Sequence, residues 1–386
     1  MSEILPTQEV GSLAKPNWRV QPFRDGLITE QHIEEAEVWA RRLDFDPDEP
    51  VQILSDAQAV LGEYGELNET AGAAIKLLTA RFAIRLQEKA GLDILYDGEQ
   101  DRAEMYQTAV EGTKGFKSRG RVRAFDNKSY EKSAIVSDPA LTKPWHDDEF
   151  KRINGLTEKA IKVPITGAYT IAAWSFDEYY ARTDGKGRGL SPEKAREAFV
   201  LDLARNVIRP NVKSLLEAGA KWVQIDEPAA TTVPGEVPLF VQAFNESVKG
   251  LEGNFSTHIC FSDYSLLFPH IEDLENCSQF SLEFANRDPR ELGTDKSHRP
   301  AYEILQEFKR HAPDTTIGLG VSSVHDNDVE GPELVRDRVL RAVDIMDSPR
   351  LVYPSPDCGL RTRTWDIALK KLVAVTEGTQ LAREAL

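Results

Sequence analysis

Apolar residues gather in eight short runs along the chain, separated by longer amphipathic stretches. The runs are "TQEVGS" (7–12), "LDILYDGE" (92–99), "IKVPITGAYTI" (161–171), "KWVQIDEP" (221–228), "FSTHICF" (255–261), "QFSLEFA" (279–285), "TTIGLGVSS" (315–323) and "RLVYPSPDCG" (350–359). Each is short and rich in Val, Ile, Leu or Phe, the pattern of strands covered on both faces. Helical periodicity fills the gaps. "AGAAIKLLTARFAIRLQEKAG" (71–91) repeats apolar residues every three or four positions and ends in glycine, a helix with its stop. Residues 191–220 open with a serine cap ahead of Pro192 and Glu193, and 331–346 and 363–386 supply two further helices. Strands alternating with helices predict parallel βαβ units, and eight of them predict a (β/α)8 TIM barrel of the α/β class. Two intervals break the rhythm. Residues 113–139 alternate and carry turn residues at "FDNKS", which predicts a β-hairpin excursion between the second and third strands. The stretch 17–70 is long for one connection and predicts two helices, one of them at "TEQHIEEAEVWARRL". No linker divides the chain, so 1–386 reads as one barrel domain.

A barrel of this kind collects its chemistry at the C-terminal ends of the strands. The first run ends in Gly11-Ser12, the second in Asp97-Gly98-Glu99 and the fourth in Asp226-Glu227. The fifth ends in His258 and Cys260, the sixth in Glu283, and the eighth in Asp357-Cys358; His325 follows the seventh. His258 and Cys260 are two apart and so share one face of their strand. Taken singly, a buried cysteine is as often a small hydrophobe as a ligand. Together at one rim, His258, Cys260, Glu283 and Cys358 offer the N, S and O donors that Zn²⁺ takes in a tetrahedron. Cys277 lacks such company and reads as structural.

Charge and cysteine usage narrow the partners. The formal net charge of −16 opposes a nucleic-acid or anionic-membrane surface. Three cysteines make no disulfide framework and point to a reducing compartment. The start "MSEILPTQEVGS" has no basic and apolar leader, and no apolar run reaches membrane-spanning length, so a cytoplasmic location is expected.

The motifs "THICF", "SLEFANRD" and "SPDCGLRTR" resemble the zinc motifs of the cobalamin-independent methionine synthase family, in its C-terminal catalytic barrel. "EVGSLAKP", "LDILYDGEQDRAEM", "VPITGAYTIAAWSF", "VQIDEPA" and "IGLGVSSVH" resemble that barrel's other landmarks in the same order, over nearly the whole chain. The resemblance implies a zinc-dependent methyltransferase that methylates the thiol of L-homocysteine to L-methionine. It implies zinc ligands at His258, Cys260, Glu283 and Cys358. It also implies an amino-acid clamp from the backbone of Val10, Gly11 and Ser12 with the carboxylates of Glu99 and Asp226. His325 matches the acid/base histidine, and Trp174 matches an aromatic residue on which the methyl donor stacks. Two departures stand out. The chain has no room for the family's N-terminal barrel, and Thr232 stands where the family tends to place a glutamate that contacts folate. The hairpin also lacks the family's Arg-Cys pair. By resemblance to shorter members, the expected donor is therefore a corrinoid, methylcobalamin or a corrinoid carrier protein, with methyltetrahydrofolate as the alternative. A zinc enzyme alkylating another thiol, such as coenzyme M, is disfavoured because a sulfonate thiol has no ammonium for Glu99 and Asp226 to hold. A degenerate, non-catalytic barrel is disfavoured because those carboxylates and His325 surround the ligand set.

Overall fold

A computed structural model describes residues 4–123 and 129–386. In chain order the strands are β1 (Ile94–Leu95), β2 (Thr113–Arg123), β3 (Ser129–Leu141), β4 (Ala160–Ile161), β5 (Val163–Thr166) and β6 (Phe176–Asp177). They continue with β7 (Trp222–Asp226), β8 (Asn254–Ile259), β9 (Cys277–Leu282), β10 (Thr316–Ser322) and β11 (Val352–Pro356). Strands β5, β7, β8, β9, β10 and β11 form one parallel sheet in that order, and β1 pairs in parallel with β4. Lys162 joins β4 to β5, and its amide donates to Leu95 O at 3.3 Å, so the two sheets are continuous there. The gap on the other side is closed by residues 7–13. Gln8 N donates to Pro354 O at 3.0 Å, Glu9 N to Ile94 O at 3.1 Å and Leu13 N to Gly98 O at 3.0 Å. Eight segments thus close a (β/α)8 barrel, at the positions the apolar runs predict.

Those strands are apolar on both faces because the helix ring covers them outside and side chains fill the inside; all five residues of β7 are buried. The interior also carries a polar layer. Lys162 Nζ donates to Gln8 Oε1 at 3.1 Å, and Gln8 Nε2 donates to Gln279 Oε1 at 3.0 Å. Gln8 thus meets a partner at both ends of its amide, as burial favours.

The helix Glu69–Ala90 starts on an Asn68 cap and ends at Gly91, which sits at φ 88° where a side chain would be strained. The stretch predicted as one helix over 191–220 is Pro192–Leu203 and Arg209–Glu217, joined without a break by a π-turn at Ala204–Ile208. Pro210 has no N–H to return to Asn206, and the wider turn absorbs that loss. Two expectations need correction. Three helices, not two, precede Glu69: Asn17–Arg24, Glu30–Arg42 and Asp48–Tyr64. The third run is strand only to Thr166; Ala168–Ala173 is a helix. The hairpin is present as β2 and β3, antiparallel, and β3 pairs with β6. Its expected "FDNKS" turn lies, at 125–128, outside the described residues.

The two chain ends meet at the closing segment. Arg383, in the final helix Trp365–Ala385, donates to Leu5 O at 2.7 Å and to Ile4 O at 3.3 Å, and lies 3.3 Å from Asp93 Oδ2. Among the described residues, no helix is long and apolar enough to cross a membrane.

Candidate active site

At the C-terminal mouth of the barrel lies a cavity of about 530 Å³. Val10, Gly11, Ser12, Glu99, Asp226, His258, Cys260, His325 and Cys358 all line it. Its floor follows from the strands. β7 delivers Asp226 and β8 delivers His258, which are register partners on neighbouring strands. Cys260 follows one residue past the end of β8, and Cys358 two past β11.

Of the four residues expected to hold a metal, three converge at once. One ligand atom each from His258, Cys260 and Cys358 lies within 4.8 Å of the others. His258 Nδ1–H donates to Ser281 O at 3.0 Å, which turns Nε2 toward Cys358 Sγ, 3.4 Å away. A hydrogen bond from the Cys260 thiol holds Cys358 well below the usual thiol range, and the same contact pushes Cys260 up. Burial, the largest influence on His258, lowers its pKa, yet the Cys358 thiolate beside it carries it up to about 9.

Glu283 stands just outside that trio. It is fully buried, and its Oε1 accepts from Arg287 at 3.0 Å. Oε2 has no hydrogen-bond partner among the described residues and lies 3.8 Å from His325 Nε2. Burial works to raise its pKa, but His325 and Arg287 outweigh that and hold the carboxylate ionised. A buried carboxylate oxygen without a partner is costly unless something arrives to meet it. Its chemistry suits Zn²⁺, which takes carboxylate oxygen along with imidazole nitrogen and thiolate sulfur.

Asp357 fixes the turn that carries Glu283. Its carboxylate accepts from the amides of Phe284 and Ala285 at 2.9 Å and of Asn286 at 2.8 Å. Burial raises its pKa to about 7. Gly320 is required beneath it, because a Cβ there would lie 2.2 Å from Asp357 Oδ1. Glu227, the neighbour of Asp226, has a structural task of the same kind. It accepts from Tyr169 N at 3.1 Å and Thr170 N at 2.7 Å, capping the helix Ala168–Ala173.

The other end of the cavity is built from backbone and carboxylates. The amides that close the barrel belong to Gln8, Glu9 and Leu13, and Val10, Gly11 and Ser12 between them line the cavity. Gln224 ties this segment to Asp226, donating to Val10 O at 2.7 Å and to Asp226 Oδ1 at 2.8 Å. Burial raises Asp226 to about 7, helped by Glu99 nearby. Glu99 sits at φ 59°, a strained backbone for a non-glycine residue, and its amide donates to Asp97 Oδ1 at 2.9 Å. Gly98 before it is at φ 68°, and a Cβ there would meet Leu13 at 2.7 Å. Gly98→Ala is therefore expected to cost about 2 kcal/mol. A thermal melt within a degree of wild type would show that this turn bears no strain.

Trp174 is not brought to the cavity. It ends the helix Ala168–Ala173, half-buried, edge-on to Tyr106 at 6.2 Å. Met105, Tyr130, Phe261, Arg361 and Arg363 line the cavity and were not singled out from sequence. Phe261 had a readable signal in its place beside Cys260, and the arginines in their place just after Cys358. Thr232 is exposed, and its hydroxyl donates to Ala229 O at 2.8 Å, closing its own turn.

Residues 56–380 match the family described as "Cobalamin-independent synthase, Catalytic domain". The methionine synthase of Pyrococcus furiosus is 34% identical over 387 residues, covering 99% of this chain and 94% of that protein. The methionine synthase of Thermoplasma acidophilum is 38% identical over 305 residues, covering 76% of this chain and 84% of that protein. In fold, the chain is similar to a B12-independent methionine synthase from Shewanella sp. W3-18-1, solved in complex with selenomethionine. The TM-score is 0.71 at 22% identity, over 99% of this chain and 98% of that one. A family described as cobalamin-independent corrects the expectation of methylcobalamin or a corrinoid carrier protein as methyl source.

Proposed function

The chain belongs to the family of cobalamin-independent synthase catalytic domains, and from that premise we propose that it moves the N5-methyl group of methyltetrahydrofolate to the sulfur of L-homocysteine, giving L-methionine. One observation carries the reading. A single cavity presents soft sulfur and imidazole donors together with two carboxylates, Glu99 and Asp226. Homocysteine has a thiol and an ammonium on one short chain, and few other metabolites would satisfy both groups.

In this reading Glu99 and Asp226 hold the substrate ammonium, and the amides of Val10, Gly11 and Ser12 receive its carboxylate. His258, Cys260, Cys358 and Glu283 would hold Zn²⁺, which supplies a thiolate at neutral pH and a template for its approach. As the S–CH₃ bond forms and the N5–CH₃ bond breaks, the electron pair goes to N5 and needs a proton. His325 supplies it. The Glu283 carboxylate beside it raises its pKa, and its side chain is 33% exposed, so solvent can restore the proton.

The test is a donor panel with zinc-loaded protein, L-homocysteine, and either methyltetrahydrofolate or methylcobalamin, with methionine read by mass spectrometry. Turnover is expected with the folate. Methionine formed from methylcobalamin alone would sink the proposal.

A further inference from the structure

Behind Glu99 lies a buried ionic cluster that the proposed chemistry leaves unused. Arg102 is three residues further along the chain, and its Nη1 lies 3.6 Å from Glu99 Oε1. That is ion-pair range but too long for a hydrogen bond. The guanidinium is only 4% exposed, and its hydrogen bonds go elsewhere. Nη1 donates to Pro164 O at 2.7 Å, Nε donates to Glu149 Oε1 at 3.0 Å, and Nη2 donates to Tyr96 Oη at 3.1 Å. Tyr96 Oη in turn donates to Glu149 Oε1 at 2.6 Å. Glu149 arrives from the helix Asp147–Asn154, and its Oε2 lies 3.3 Å from His146 Nδ1. Burial opposes both charges, yet Arg102 and Glu149 each hold the other ionised. Asp97, which accepts from Glu99 N at 2.9 Å, is raised by burial to about 8 and is neutral at pH 7. Arg102 and Glu149 therefore cancel at close range, and Glu99 keeps its negative charge at the cavity wall.

We infer that Arg102 and Glu149 are positioning residues for homocysteine: Arg102 steadies the Glu99 carboxylate from behind, and Glu149 neutralises Arg102 so that the charge of Glu99 is left for the substrate ammonium. The inference rests on the proposed ammonium clamp. A guanidinium suits the task because its planar fork can serve two carboxylates and a carbonyl from one fixed position. Without Glu149, the nearest anion to Arg102 would be Glu99, and an incoming ammonium would meet a carboxylate already paired.

Isothermal titration of zinc-loaded protein with L-homocysteine and with 4-sulfanylbutanoate, the same thiol acid without its amine, tests this with no methyl donor present. Glu149→Gln should weaken homocysteine binding roughly tenfold or more and leave the amine-free thiol within twofold. The variant should fold, because the amide oxygen can accept from Arg102 and Tyr96 as Glu149 Oε1 does. If it melts too low to titrate, Arg102→Lys, which keeps the buried charge but not the fork, should show the same split. In a Glu99→Gln background, Glu149→Gln should change homocysteine affinity by less than twofold, because its effect passes through Glu99. If wild type binds both thiols alike, or Glu99→Gln binds homocysteine normally, the clamp reading falls and takes this inference with it. If Glu99→Gln is defective but Glu149→Gln is not, the inference alone is overturned. Equal losses for the two thiols, or a loss that persists in the Glu99→Gln background, would mark the pair as merely structural and overturn it too.

Discussion

Cys358→Ser is expected to lose bound zinc and methionine formation together, with turnover down on the order of 10³-fold or more. The expectation follows from geometry and charge. Cys358 Sγ lies 3.4 Å from His258 Nε2 and is held as thiolate by the Cys260 thiol. A serine hydroxyl stays protonated at neutral pH and is a harder, weaker donor for a borderline-soft ion. An unbound homocysteine thiol is mostly protonated at pH 7, so both nucleophile and template would be lost. The fold should survive, because His258 keeps its bond to Ser281 O and Asp357 keeps its three amide donors. Metal analysis by plasma emission, read beside far-UV circular dichroism, checks this. One equivalent of zinc retained at wild-type activity would remove Cys358 from the ligand set.

Asp226→Asn should do the opposite, sparing zinc while raising the homocysteine KM by roughly 10²-fold. Asp226 is not among the three clustered ligands but lines the same cavity. Asparagine keeps the shape, and its carbonyl can still accept from Gln224 Nε2, now 2.8 Å from Asp226 Oδ1. What goes is the charge proposed to face the substrate ammonium, and truncating one partner of such a buried pair costs about 2–5 kcal/mol. The pH dependence gives a second check. Burial raises Asp226 to about 7, so its carboxylate is present above that pH and lost below it. Homocysteine affinity in wild type should therefore fall as pH drops through about 7, and the difference between wild type and D226N should shrink with it. The sign for stability is reversed: a carboxyl raised by burial favours the fold below its unfolded value, and that contribution fades as pH rises through about 7. A D226N enzyme with wild-type homocysteine KM at pH 8 would refute the clamp.

Much of the barrel was legible because its strands are buried on both faces and write themselves as unbroken apolar runs. The boundary of the third run was not. Gly167 to Ala173 is all small or apolar and reads equally as strand or helix. The choice is made by Glu227, which caps the helix from 58 positions away in the chain. The count of N-terminal helices failed for a plainer reason: Asp48–Tyr64 is weakly amphipathic and begins without a side-chain cap. At the site, same-face spacing and strand-end position identified the residues that the cavity gathers. Trp174 and Phe261 show where that reasoning stops. Which ring faces the cavity depends on the backbone turn at Phe261, and no residue type announces a left-handed phenylalanine. Thr232 misleads on the donor, because it is exposed, closes its own turn and does not line the cavity.

The closing segment has a consequence for how the protein is made. Its backbone partners are Ile94, Gly98 and Pro354, and its carbonyls at Ile4 and Leu5 wait for Arg383. Val10, Gly11 and Ser12 therefore find their places only once partners far along the chain have been made. The hairpin pairs between near neighbours in the chain, whereas the segment that carries Val10, Gly11 and Ser12 to the cavity pairs with residues far along it. The cavity wall at residues 10–12 is thus among the most non-local parts of the fold.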